Sequence, residues 1–203
     1  MAEPYLTRVY GSRHPDDTRA LYDDWSDGYE AEVRENGYVT PGRCAEALAK
    51  HVPDLTAPVL DFGCGTGLSG LALKLAGFAA LDGVDISEEM LAKARAKRLY
   101  RALALRAPGD GVPDLTGYAA VAAIGVIGAG AAPMSVFDDL MRGLRKGGFL
   151  VLSLNDHALA DRCNEARICE WTDCGAARLL FREHGPHLPG INLKSTVYVL
   201  EKM

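Results

Sequence analysis

Four glycines within eight residues, set directly behind a short apolar run, constrain this chain more than any other feature. The segment is Val59-Leu60-Asp61-Phe62-Gly63-Cys64-Gly65-Thr66-Gly67-Leu68-Ser69-Gly70. Val59–Phe62 reads as a strand, and Leu68, Leu71, Ala72 and Leu75 give one helical face that ends at Gly77. A strand joined to a helix through glycine demands a sharp turn and a close approach of the backbone to something else. The chain's 22 glycines gather here and again around Gly125 to Gly130, unlike the spacing of collagen or of a linker.

The rest of the chain alternates in the same way. Ala79–Ile86 predicts a second strand, and Ser87 is a natural N-cap for a helix with Glu88 and Glu89 in its first turn, running to about Arg98. Strands follow at Arg101–Leu105, Tyr118–Ile124 and Phe149–Leu154. Helices are expected after Pro133, with Phe137, Leu140, Met141 and Leu144 on one face, and over Ala158–Glu170. Two more strands, near Ala177–Arg182 and Ser195–Leu200, are expected to be joined by a loop over Glu183–Leu193. Strands alternating with helices predict a doubly wound α/β fold with a mostly parallel sheet, whose ligands sit beyond the carboxyl ends of the strands. The first 50 residues read as helical, punctuated at His14-Pro15, Asn36-Gly37 and Pro41-Gly42. Leu21, Trp25 and Tyr29 repeat at four-residue spacing with Tyr22 beside them, and Arg43–His51 forms a second helix. At 203 residues the expectation is a single domain, residues 1–203, with an N-terminal helical lid over 1–50 and a cofactor-binding core over 51–203.

Composition excludes several classes. No apolar run approaches about 18 residues, so no membrane span is expected, and the N-terminus shows no secretory h-region. Cys44, Cys64, Cys163, Cys169 and Cys174 are odd in number and lack a CxxC, which fits reduced thiols and a cytoplasmic protein. With His157 the last three match no common zinc spacing, so no metal is expected. A net charge of -5 lacks the basic footprint of a nucleic-acid binder. Lys93, Arg95, Lys97, Arg98, Arg101 and Arg106 form one basic stretch, read as a solvated helix face.

Two cofactor fingerprints overlap in the loop. From Gly65, GTGLSG satisfies G-x-G-x-x-G with Asp85 twenty positions on, the spacing of a dinucleotide site with an acid on the ribose. From Asp61 the pattern is D-x-G-x-G-x-G. The first register leaves Asp61 buried at the strand end, where a carboxylate is costly without partners. The second gives it a task. The loop also lacks the Lys or Arg that a phosphate would invite, and a helical region precedes the first strand.

The second pattern resembles motif I of the class I S-adenosylmethionine (SAM) methyltransferases. VLDFGCGTG followed by GVDISEEML carries the resemblance, and Leu144-Arg145-Lys146-Gly147-Gly148-Phe149-Leu150 is similar to that family's turn into its fifth strand. Tyr22-Asp23-Asp24-Trp25-Ser26-Asp27-Gly28-Tyr29-Glu30, Gly125-Val126-Ile127-Gly128 and Val197-Tyr198-Val199-Leu200 resemble the Williams–Beuren-region methyltransferase-like proteins. The resemblance implies a Rossmann-like seven-stranded sheet with an antiparallel last strand, and SAM as methyl donor with S-adenosylhomocysteine as its product. It assigns cofactor contacts to Asp61, Gly63, Cys64, Gly65, Gly67, Asp85, Ile86, Ala107, Ile124 and Tyr29. In this scheme Asp85 accepts from the ribose hydroxyls and Ile86 lies on the adenine. The chain departs from the family pattern at Ala107, where an acid is usual and Asp110 comes three residues late, and at Ala119, where Tyr-Asp is common.

Methyl transfer from a sulfonium needs alignment more than it needs a base, which makes catalytic residues hard to read from sequence. Tyr22 and Tyr29 are candidates to line the donor site, with helix packing as the competing reading, and Trp25 is assigned to packing. His157 is the candidate base behind the fifth strand, and His14 is a weaker one. The expected acceptor is a small molecule. An NAD-dependent oxidoreductase and a SAM-binding module without catalysis stand as the alternatives.

Overall fold

The computed structural model describes residues 15–107, 109–128 and 131–203. His14 and Gly130 lie outside the described residues. The chain opens with helices α1 (Pro15–Glu35) and α2 (Thr40–Ala49). Then follow β1 (Val59–Phe62), α3 (Leu68–Leu75), β2 (Leu81–Asp85), α4 (Glu88–Lys97), β3 (Ala102–Leu105) and β4 (Ala120–Ala123). The second half holds α5 (Ser135–Gly143), β5 (Phe149–Asn155), α6 (Asp156–Leu159), α7 (Arg162–Asp173), β6 (Ala177–Leu188) and β7 (Leu193–Lys202). The strands form one seven-stranded sheet in the order β3-β2-β1-β4-β5-β7-β6. Strands β1 to β5 pair in parallel, and β7 runs antiparallel to both β5 and β6.

Alternation along the central strands divides the core between the two sheet faces. Leu60, Val121, Leu150 and Leu152 point to the face covered by Phe137, Leu140 and Met141 of α5 and by Ile168 of α7. Val59, Ala120, Ala122 and Val151 point to the face covered by Leu48 of α2, Leu73 of α3 and Phe78. Four small or branched residues in β4, all buried, let helices approach it from both sides. A third apolar cluster joins Leu21, Trp25 and Val33 of α1 to Leu188 and Leu193 at the far end of the β6–β7 hairpin, so α1 rests on that hairpin.

Several boundaries differ from the sequence expectation. The helix expected from Arg43 starts at Thr40, because Pro41 suits the first turn, where its missing N–H costs nothing. The helix expected over Ala158–Glu170 is two helices, restarted at Asp161, whose side chain accepts from the Cys163 amide. Pro133 stands two residues ahead of α5 rather than at its first position. The loop expected over Glu183–Leu193 is mostly strand, since β6 continues to Leu188 against β7 through two register shifts.

The basic stretch on α4 is also corrected: much of it faces acids of this same chain. Lys93 donates to Asp27 at 2.7 Å, Lys97 pairs with Glu30, and Ser87 donates to Asp23. These partners recur every three to four residues along α1, so one acidic stripe lies against one basic stripe. Arg95 pairs with Glu88, and Arg101 makes a two-pronged contact with Asp82.

Candidate active site

The glycine loop leaves β1 at the sheet's switch point, where connections from β1 and β4 diverge to opposite sides. Gly63, Gly65 and Gly67 all hold positive φ, at 73°, 53° and 93°. A Cβ on Gly63 would fall 2.4 Å from Cγ2 of Val126, so bare backbone is required there. Gly70 serves packing, because a Cβ would sit 2.2 Å from the Tyr100 hydroxyl.

A cavity of about 440 Å³ opens beyond the carboxyl ends of β1, β2 and β4. Gly63, Gly65, Asp85, Ile86, Ala107 and Ile124, all assigned to the cofactor from sequence, line it, as do Tyr22 and Tyr29. Asp85 accepts from the Gly65 amide at 2.7 Å and from the Ser87 amide at 3.0 Å, which ties the loop to the end of β2. Burial raises its carboxyl above the ordinary carboxylate range. Each carboxylate oxygen keeps a further lone pair for a ligand.

Asp61, Cys64 and Gly67 are not among the lining residues. Asp61 is fully buried beneath the loop, where its Oδ2 accepts from Ser69 at 2.6 Å and from Tyr100 at 2.7 Å. Its Oδ1 has no hydrogen-bond partner among the described residues. Burial pushes this carboxyl up to about 6. The Cys64 thiol is buried and lies beside Gly83, while Gly67 sits against Tyr100 and α4. Asp110 does not reach the cavity wall either: its carboxylate accepts from the Ala107 amide at 2.8 Å and closes a turn.

A second cavity, about 60 Å³, adjoins the first and shares Tyr22, Tyr29, Gly125 and Ala131 with it. Its other walls include Trp25, Tyr38, Ser153, Asn155 and His187. Gly125 holds φ 71°, donates to Ser153 at 2.9 Å, and would place a Cβ 2.8 Å from the Tyr38 hydroxyl. Part of the second glycine cluster is therefore wall, shared by both spaces. Trp25 packs, as expected, but also lines this cavity and donates to Glu32 at 2.7 Å.

His157 is exposed on α6 and lines neither cavity. The histidine that does is His187, 6% exposed, with Nδ1 2.8 Å from the Thr40 hydroxyl. Burial lowers it to about 4. Reading Glu183–Leu193 as loop concealed it, because Gly185 and Pro186 beside it carry no strand signal. Among the described residues no group of His, Cys, Asp and Glu is arranged to hold a metal.

Comparisons with known proteins bear on the fold and on the kind of domain. Residues 59–148 match the model of a family described as a methyltransferase domain. The chain is 33% identical over 137 residues to methyltransferase-like protein 27 of Homo sapiens, covering 66% of this chain and 56% of that protein. It is 37% identical over 102 residues to the ribosomal protein L11 methyltransferase of Methylococcus capsulatus, covering 48% of this chain and 33% of that protein. It thus spans little more than half of the first relative and a third of the second. Among solved structures, magnesium protoporphyrin IX methyltransferase from Synechocystis PCC 6803 with bound S-adenosylhomocysteine superposes with a TM-score of 0.64 at 16% identity. That match covers 92% of this chain and all of the other. These similarities favour the second fingerprint of the glycine loop over the dinucleotide one.

Proposed function

We propose that this chain is a class I SAM-dependent methyltransferase that methylates a small-molecule acceptor, with SAM in the larger cavity. The observation carrying this reading is the meeting of two cavities at Tyr22, Tyr29, Gly125 and Ala131, one large enough for a nucleoside cofactor and one small and aromatic. The donor set fits SAM. Gly63 and Gly65 leave the cavity floor open, Asp85 presents acceptors for ribose hydroxyls, and Ile86 and Ile124 offer apolar surface for the base. The unpartnered Oδ1 of Asp61, buried beneath the loop and outside the cavity wall, favours positive charge near the strand end from a distance. Asp110 holds the Ala107 amide, so adenine is met here by apolar wall and backbone rather than by an acid.

When bound, SAM supplies a methyl group on a positively charged sulfur. The residues of this chain hold and align: Asp85 and the loop amides fix one end, while Tyr22 and Tyr29 from α1 close over the junction. Positioning of this kind contributes several kcal/mol to a displacement. The acceptor is placed among small molecules because the second cavity is small and covered by α1, and because the net charge of -5 disfavours nucleic acid. No helix among the described residues is long and apolar enough to cross a membrane, and the five cysteines are free, which supports a reducing, cytoplasmic setting.

Calorimetry with S-adenosylhomocysteine and, separately, NAD tests the assignment. S-adenosylhomocysteine is expected to bind and NAD to fail; the reverse would overturn it. Asp85→Ala is expected to weaken binding roughly 10- to 100-fold, the loss of hydrogen bonds to a charged acceptor. Labelled SAM with a metabolite extract then reports methyl transfer directly.

A further inference from the structure

His187 stands at the end of a chain of hydrogen bonds whose direction is fixed at its other end. The Arg43 Nη1 donates to the Ser195 hydroxyl at 3.2 Å, Ser195 lies 3.0 Å from the Thr40 hydroxyl, and Thr40 lies 2.8 Å from His187 Nδ1. A guanidinium only donates. Ser195 and Thr40 are both fully buried, so a hydroxyl hydrogen left without an acceptor is costly there. Running from Arg43 through Ser195 and Thr40 to Nδ1, every hydrogen finds an acceptor. Run backwards, the Ser195 hydrogen finds none among the described contacts. Nδ1 therefore accepts, and the neutral ring carries its hydrogen on Nε2. Nε2 has no hydrogen-bond partner among the described residues, and His187 lines the small cavity.

We propose that His187, held as the Nε2–H tautomer, donates to the oxygen of a phenol-like hydroxyl on the acceptor and thereby selects oxygen over amine nitrogen. The inference rests on reading the small cavity as the acceptor's. A neutral amine has one lone pair, which a hydrogen bond from Nε2 would occupy. An oxygen keeps another pair for attack. A donor aimed at oxygen also favours its ionised form, and among the described residues no Asp, Glu, Lys or Arg lines this cavity to oppose or replace that effect. Tyr22, Trp25, Tyr29 and Tyr38 supply aromatic walls, and the space of about 60 Å³ takes the hydroxyl-bearing edge of one ring, the rest of which reaches toward the adjoining larger cavity. In the transfer the hydroxyl proton leaves to water, an oxygen lone pair forms the new C–O bond, and the C–S bond breaks with its electron pair remaining on sulfur. His187 does not take the proton, because Nδ1 is engaged by Thr40 and Nε2 already bears hydrogen. Low basicity agrees with this: burial lowers the ring to about 4, with Arg43 and His157 in the same direction and Asp156 against it.

The test is long-range proton–nitrogen NMR on protein labelled with ¹⁵N-histidine, with His187→Gln identifying the signal. At neutral pH a protonated Nε2 and bare Nδ1 support the proposal; the opposite tautomer or a cationic ring overturns it. Thr40→Val is expected to mix the tautomers and Thr40→Ser to retain the preference; an unchanged signal in Thr40→Val overturns the relay. Phenol and aniline are then titrated into protein saturated with S-adenosylhomocysteine. Phenol is expected to shift the Nε2 proton and to bind about tenfold tighter than to His187→Leu. Equal binding of both probes with an unmoved His187 signal overturns the selectivity. Should His187→Leu not fold, Thr40→Val serves the same comparison. Failure of S-adenosylhomocysteine to bind while the Nε2–H tautomer is present would sink the methyltransferase reading and not the relay.

Discussion

Two buried titratable residues pull stability in opposite directions over one pH range. The His187 ring is lowered from 6.5 to about 4, so the unfolded chain binds the extra proton between those values. Its contribution is present above about 6.5 and is lost as pH falls through 4. The Asp61 carboxyl is raised from 3.8 to about 6, so the folded chain binds the extra proton. Its contribution is present below 3.8 and is lost as pH rises through 6. Each shift corresponds to on the order of 3 kcal/mol, so the pair nearly cancels. Relative to wild type, Asp61→Asn is expected to steepen the rise of stability from pH 4 to 6.5, and His187→Gln to make stability fall across it; urea melts at several pH values measure both. The sequence made Asp61 conspicuous, because a carboxylate ending an apolar strand needs a reason. It did not show that Ser69 and Tyr100 would meet that need from below while the cavity lay above. Asp85 was easier to place, since the end of β2 is adjacent to the loop by topology alone.

Helix α1 shows how much an element depends on partners remote in sequence. Its aromatic face was legible from the spacing of Leu21, Trp25 and Tyr29. Its acidic face and the basic face of α4 were each visible, yet nothing local showed that Asp23, Asp27 and Glu30 would meet Ser87, Lys93 and Lys97. Ser87 is the joint of this contact, because it caps α4 by accepting from Met90 at 3.1 Å while holding Asp23. Ser87→Ala is expected to cost about 1 kcal/mol from the lost cap and to speed amide exchange in α1 more than in β4 or β5. Raising ionic strength to about 1 M, where screening acts within about 3 Å, is expected to speed exchange in α1 of the wild-type protein as well. Strand β6 was read short for a related reason: a hairpin's outer strand carries Gly185 and Pro186, punctuation that belongs to loops until β7 supplies the ladder.

At the scale of the molecule, α1 is fixed by two unlike surfaces, polar toward α4 and apolar toward the β6–β7 hairpin, and it roofs both cavities between them. A ligand that fills the larger cavity therefore stabilises the core and the roof together. S-adenosylhomocysteine at about 100 times its Kd is expected to add about 2.7 kcal/mol, raising Tm by roughly 5–10 °C, with protease cleavage within α1 suppressed in parallel; a scanning melt and a limited digest measure these. The doubly wound sheet was legible because alternating strands and helices with a glycine turn admit few arrangements, and a helical lid over 1–50 was expected; the contacts that hold α1 in place were not legible, being an agreement among distant side chains. One consequence follows from the two tyrosines common to both spaces. Because Tyr22 and Tyr29 sit on the same helix and touch both chambers, that helix cannot lift from one without uncovering the other. Occupancy of either chamber is therefore expected to change the walls of the other through α1.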